Sequence, residues 1–100
     1  MNPQHLFRLD GKIALVTGSS RGLGKEIAKG FAQYGASLVL ADIAYPEKTE
    51  EEIKGEGARC IAARTDVSNE AEVKNLSQKI MSEFGRVDIL INNAGVTQLS

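Results

Sequence analysis

Thr17-Gly18-Ser19-Ser20-Arg21-Gly22-Leu23-Gly24 spaces three glycines as G-x-x-x-G-x-G. That spacing suits phosphate chemistry. Gly18 can leave an extended segment by a turn that a side chain would obstruct. Gly22 has no Cβ, so a phosphate can approach the backbone there, and Gly24 lets a following helix pack closely on a sheet. Free N–H groups and the dipole at the helix start then favour a pyrophosphate, to which Ser20 and Arg21 can add donors. Asp42 stands 18 residues beyond Gly24. A carboxylate so placed accepts hydrogen bonds from the ribose hydroxyls of a dinucleotide and repels a 2′-phosphate, which argues for NAD over NADP. Arg21 is the counter-signal, because a cation beside the second glycine could pair with that phosphate. Asp42 decides, since a carboxylate at the phosphate position is costly and Arg21 can lie on the pyrophosphate or in solvent. The plainer alternatives are a turn that merely needs glycine and a solvated loop acid. A strand before the loop, a helix after it and an acid ending the second strand together outweigh them.

Other chemistries fit less well. A Walker A loop fails on spacing: only Gly24-Lys25 could supply its Gly-Lys pair, which puts Ser19 at the first glycine and Glu26 at the Ser/Thr. His5 has no Cys, His or acid at ligand spacing, so no metal is expected there. Glu50-Glu51-Glu52 reads as a solvated helix face, because adjacent helical residues point in different directions. Cys60 lies in a strand pattern and reads as a small buried apolar residue.

The elements that must position the loop alternate regularly. Lys12 to Thr17 is a nearly continuous apolar run after an Asp10-Gly11 turn, which suits a strand buried on both faces. Leu23, Ile27, Ala28 and Phe31 give the next segment one apolar helical face, ended by Gly35. Leu38 to Ala41 reads as a second strand, followed by a short acidic helix opened at Pro46 and stopped by Gly55 and Gly57. Ala58 to Ala63 is a third strand. Ser68 or Asn69 caps a helix whose stripe is Val73, Leu76, Ile80, Met81 and Phe84. Val87 to Ile91 is the fourth strand. The order βαβαβαβ implies an α/β fold with a parallel sheet.

Composition bounds the rest. The chain has 100 residues, 42% apolar and 25% charged, with 12 basic against 13 acidic side chains. One domain is the upper bound, and such a chain can build a core. The near-neutral balance carries no electrostatic footprint for nucleic acid or an anionic membrane. Apolar runs are too short to span a bilayer, and Met1 to Asp10 lacks the apolar stretch of a secretory signal. A single cysteine cannot form an internal disulfide, so a cytoplasmic location is expected.

The motifs in order resemble the short-chain dehydrogenases/reductases, over essentially the whole chain. Leu9 to Gly18 is similar to that family's entry into its first strand, and Thr17 to Gly24 to its T-G-x-x-x-G-x-G cofactor loop. Asp66-Val67 is similar to its adenine-contacting pair, and Asn92-Asn93-Ala94-Gly95 to its N-N-A-G motif. The resemblance implies a Rossmann-type doubly wound sheet with strand order 3-2-1-4. It implies that Gly18, Ser20, Arg21, Gly22, Leu23 and Gly24 hold the pyrophosphate and nearby ribose, and that Asp42 with Ile43 holds the adenosine ribose. Asp66 would accept from the adenine amino group beside the Val67 backbone. Asn92 would tie the sheet together, while Asn93, Ala94 and Gly95 line the adenosine ribose side. For Asp66 the alternative is a helix-start acid, and for the asparagines turn chemistry alone. Leu6 to Ile43 further resembles the sugar-acid and polyol branch, such as gluconate and deoxygluconate dehydrogenases.

The sequence also departs from that family. Its proton transfer uses a Tyr-x-x-x-Lys pair with an upstream Ser and an Asn. Here Tyr34 is followed four residues on by Leu38, and Tyr45 by Thr49, so neither is a credible base. The fourth strand would also be an unpaired, apolar edge, a poor one to leave in water. The chain is therefore expected to be the N-terminal, cofactor-binding part (residues 1–100) of a single Rossmann domain in a longer NAD-dependent enzyme. That enzyme would act on a small alcohol or ketone, and as a full-length homo-oligomer, tetramer or dimer. The alternative is a non-catalytic NAD-binding module.

Overall fold

The computed structural model describes residues 8–93. Seven elements alternate: β1 (Ile13–Thr17), α1 (Gly22–Gln33), β2 (Ser37–Asp42), α2 (Glu47–Gly55), β3 (Cys60–Arg64), α3 (Glu70–Glu83) and β4 (Ile89–Asn92). The strands form one parallel sheet in the order β3-β2-β1-β4. This is the expected α/β architecture and strand order. The register sets Thr17 between Ala41 and Asn92, and Asp42 beside Arg64. The carboxyl ends of all four strands therefore reach one rim, where open α/β sheets bind ligands.

The sheet is covered on both faces, as a doubly wound fold requires. One face carries Ala14, Val16, Leu38, Leu40, Cys60 and Ala62, packed with Ala28 of α1 and Ile53 of α2. The other carries Ile13, Val39 and Ala41, packed with Leu76 and Ile80 of α3. Alternate residues of one strand thus serve two cores, which is why β1 and β2 read as unbroken apolar runs.

Two expected helix stripes hold in most positions and lose a few members. On α1, Leu23 is 65% exposed, while Gly24 and Ala28 are buried. Ile27 and Phe31 pack against the core beside Ala28 as expected, and Gly24 rather than Leu23 makes the closest approach to the strand end. On α3, Leu76 and Ile80 are buried and Phe84 packs against them, but Val73 and Met81 are exposed. A single helix touches that face with a narrow stripe, and no other described element lies over its flanks. Asn69, not Ser68, caps α3: its Oδ1 accepts from Glu72 N at 3.1 Å.

The start of β4 is tied to β1 twice. Asp88 N donates to Ile13 O at 2.8 Å, and Asp88 Oδ2 accepts from Ile13 N at 2.8 Å. Arg86 also donates to this carboxylate. These bonds from Ile13 and Arg86 hold the Asp88 carboxyl below its ordinary pKa. None of the described helices is long and apolar enough to cross a membrane.

Candidate cofactor-binding rim

The glycine loop leaves β1 at Gly18 with φ +65° and enters α1 at Gly22 with φ +62°. Side-chain-bearing residues rarely adopt that region. The two later glycines answer different needs. A Cβ on Gly24 would lie 2.0 Å from Gly18 O and 2.8 Å from Asn93 Nδ2, so α1 can approach the strand end only without one. A Cβ on Gly22 would meet nothing within 4 Å among the described residues. The backbone there faces open space that a ligand could fill.

The start of α1 is suited to an anion. Its cap position is Arg21, in extended conformation with no side-chain cap, and no acid lies in its first turn. By contrast, α3 has the Asn69 cap and Glu70 and Glu72 in its first turn. Among the described residues the first amides of α1 thus have no side-chain acceptor, and the helix dipole there is positive. Arg21 is exposed.

Two asparagines brace the loop from β4. Asn93 Nδ2 donates to Gly18 O at 3.2 Å, and Thr17 Oγ1 donates to Asn92 Oδ1 at 3.0 Å. Asn92 thus ties β4 to β1, as expected, and turn chemistry alone does not describe the pair. Ala94 and Gly95 lie outside the described residues.

Asp42 ends β2 and faces the glycine loop. Its Oδ2 accepts from Ser20 N at 2.9 Å and from Ser20 Oγ at 2.6 Å, while Oδ1 accepts from Ile43 N at 2.7 Å. Partial burial pushes its pKa up, but the Ser20 hydroxyl and the amides of Ser20, Ile43 and Ala44 outweigh that, and the carboxyl ends below its ordinary value. The carboxylate is therefore ionised and oriented at neutral pH, which the picture of a freely solvated loop acid does not describe.

Asp66 follows β3. Its Oδ1 accepts from Ser68 N at 2.9 Å and Ser68 Oγ at 2.6 Å, and the Ser68 hydroxyl lowers its pKa. Its backbone N donates to Glu72 Oε1 at 2.9 Å. Asp66 thus shapes the turn into α3 without being the helix cap. Ile43 and Val67, 63% and 44% exposed, present apolar side chains just past the ends of β2 and β3.

Sequence reasoning missed two buried hydroxyls beneath the loop. Ser19 N and Oγ donate to Ala41 O, at 3.4 and 3.3 Å. Thr49 of α2, fully buried, donates its hydroxyl to Ser19 O at 2.7 Å. A signal existed: Thr49 lies four residues before the buried Ile53, on the same helix face. A hydroxyl at a core-facing position must find a partner.

Neither tyrosine resembles a poised base. Tyr34 stands at the C-cap of α1. Tyr45 donates to Glu50 Oε1 at 3.0 Å, and burial with the Glu50 carboxylate pushes its pKa up. Cys60 is buried, which pushes its thiol up to about 12.

Known proteins share this fold. A hydroxysteroid dehydrogenase structure from Escherichia coli superposes with TM-score 0.83 at 43% identity, covering 91% of this chain and 39% of that one. A short chain dehydrogenase/reductase from Burkholderia phymatum, solved in complex with NAD, gives TM-score 0.77 at 40% identity over 84% of this chain and 31% of its own. The 2-dehydro-3-deoxy-D-gluconate 5-dehydrogenase of Dickeya dadantii is 41% identical over 90 residues, 90% of this chain and 36% of that protein. The chain spans about 35 to 40% of the length of curated relatives it matches. The family model for short chain dehydrogenases matches residues 12–100, from the start of β1 through the glycine loop, Asp42, Asp66 and the paired asparagines, and the chain belongs to that family.

Proposed function

We propose that the chain is the dinucleotide-binding half of an NAD-dependent oxidoreductase that interconverts a secondary alcohol and a ketone. The carrying observation is the rim itself: open backbone at Gly22, a helix start without its own cap, and an ionised Asp42 fixed beside the loop. The α1 amides, with Gly18, Ser20, Arg21, Leu23 and Gly24 around them, would hold the pyrophosphate and nearby ribose. The Asp42 carboxylate keeps lone-pair capacity beyond the Ser20, Ile43 and Ala44 amides, and would accept from the adenosine ribose while repelling a 2′-phosphate. Ser68 occupies Oδ1 of Asp66, leaving Oδ2 for the adenine amino group beside the Val67 backbone. Ile43 adds an apolar edge, and Asn93, Ala94 and Gly95 would line the ribose side. When bound, the nicotinamide supplies the hydride chemistry. A proton acceptor would come from outside these hundred residues, since Tyr45 is tied to Glu50 with its pKa raised.

For the substrate, the resemblance of Leu6 to Ile43 and the Dickeya relative's name favour a sugar acid or polyol. The Escherichia structure supplies the competing class, a hydroxysteroid. A cytoplasmic homo-oligomer completes the reading. The test uses the whole protein that carries this chain. NAD should bind tighter than NADP by calorimetry, and NAD-linked turnover should appear with sugar acids. Equal affinity for the two cofactors would overturn the Asp42 assignment. Steroid-only turnover would overturn the substrate class. NAD binding with no turnover on either class would favour a non-catalytic module.

A further inference from the structure

We infer that Thr49 is a positioning residue for cofactor discrimination: it fixes the peptide that presents Asp42, without itself reaching the ligand. One peptide plane couples the two residues. Ser19 O and Ser20 N belong to the same peptide unit, which is planar and trans, so they point in opposite directions. At one end, Thr49 Oγ1 donates to Ser19 O at 2.7 Å. At the other, Ser20 N donates to Asp42 Oδ2 at 2.9 Å. Rotating that peptide would break both bonds together. Ser19 N and Oγ, both on Ala41 O, pin the residue before it to β2. Asp42 is therefore held by a chain of contacts that begins in α2, seven residues further on, and passes through the glycine loop.

Thr49 is fully buried, and its hydroxyl is the one side-chain donor to Ser19 O among the described residues. Removing that hydroxyl leaves a buried carbonyl without its partner, and the peptide is then free to turn toward another donor. Ser20 N would leave Asp42 with it. The carboxylate would keep the Ile43 amide on Oδ1 but lose the Ser20 amide from Oδ2, leaving only the rotatable Ser20 hydroxyl there. Its aim would loosen, and the difference between a ribose hydroxyl and a 2′-phosphate would shrink.

This inference rests on the assignment of Asp42 to the adenosine ribose, so the experiment separates the two. NAD and NADP dissociation constants are measured on the whole protein carrying this chain, as wild type, Asp42→Asn, Thr49→Val, Thr49→Ser and Thr49→Ala. Thr49→Val removes the hydroxyl at nearly constant shape. Thr49→Ala leaves room for a water to reach Ser19 O, and keeps the test alive where the valine variant does not fold. The NADP-to-NAD ratio of dissociation constants should fall on the order of tenfold in Thr49→Val, fall less in Thr49→Ala, and return in Thr49→Ser. A merely structural role would lower the melting temperature and leave the ratio unchanged, and that result overturns the inference. A wild type without NAD preference, or an Asp42→Asn variant with the wild-type ratio, overturns the Asp42 assignment instead.

Discussion

Alanine substitution at two glycines of the same helix should shift stability in opposite directions. Gly24 and Gly30 both lie within α1. In a helix, alanine is favoured over glycine by about 1 kcal/mol, so propensity alone predicts a gain at each. At Gly30 a Cβ meets nothing within 4 Å, and that gain should appear nearly whole. At Gly24 the Cβ falls 2.0 Å from Gly18 O and 2.8 Å from Asn93 Nδ2. Neither atom can yield cheaply: one is backbone at a positive-φ turn, and the other is bonded to it. Forcing a methyl into such a contact costs about 1–3 kcal/mol, and losing the Asn93–Gly18 bond adds about 1 kcal/mol. Gly24→Ala should therefore be destabilising by about 1–3 kcal/mol net, a difference of about 2–4 kcal/mol from Gly30→Ala. Urea midpoints of the two variants against wild type measure this, and NAD titration should show weaker binding for Gly24→Ala alone. If both substitutions moved the midpoint the same way by similar amounts, the close approach of α1 to Gly18 would not be the reason for glycine at position 24.

Two further outcomes follow from the titrating groups. The folded-state pKa of Asp42 lies below its unfolded value, so its contribution is full above the ordinary carboxylate range and is lost as pH falls through the lowered pKa. The tie between Ser20 and Asp42 should hold at neutral pH and fail in acid below about pH 4. The wild-type denaturation midpoint should then converge on that of Asp42→Asn across this range, and parallel acid curves would refute it. Cys60 is 4% exposed with its thiol pushed up to about 12, so alkylation at pH 8 should be slow in the native protein and fast once unfolded. Rapid native labelling, read by mass spectrometry, would show that β3 opens from the sheet edge.

The strands and the rim were legible because their signals are single and local. A strand covered on both faces has to be apolar at every position, and Ile13–Thr17 and Ser37–Asp42 are nearly so. Three glycines before a helix carry a conformational meaning that few other residues can supply. The missed features are relations between segments. Periodicity places Leu23 inward with Ile27 and Phe31 because it finds large apolar side chains, whereas the closest approach to the end of β1 is made by Gly24, which has none. Periodicity also places Val73 and Met81 inward, because a sequence pattern cannot show how many helices share a face. The described residues put α1 and α2 over one side of the sheet and only α3 over the other. Leu90 registers beside Leu15, on the α3 side, and is 61% exposed for the same reason.

The two acids of the rim carry different degrees of meaning, although both sit just after strands and both carry lowered pKa values. Asp66 is satisfied by Ser68, two residues away, in a contact any short turn can make. Such a bond orients its own turn and transmits nothing across the fold. Asp42 has a local partner too, Ile43 N on Oδ1, but its Oδ2 is satisfied by Ser20, 22 residues away, and the same peptide is held from behind by Thr49. A local contact forms whenever the turn forms, but a contact between β2, the glycine loop and α2 forms only when all three are in place. Its loss should therefore be felt as a change in ligand geometry as well as stability. Restricting that carboxylate before any ligand arrives also removes part of the ordering cost that binding would otherwise carry. For this reason discrimination between cofactors should be more sensitive at Ser20 and Thr49 than at Ser68. A comparison of Ser20→Ala with Ser68→Ala makes the contrast measurable, the first changing the NADP-to-NAD ratio and the second changing both affinities together.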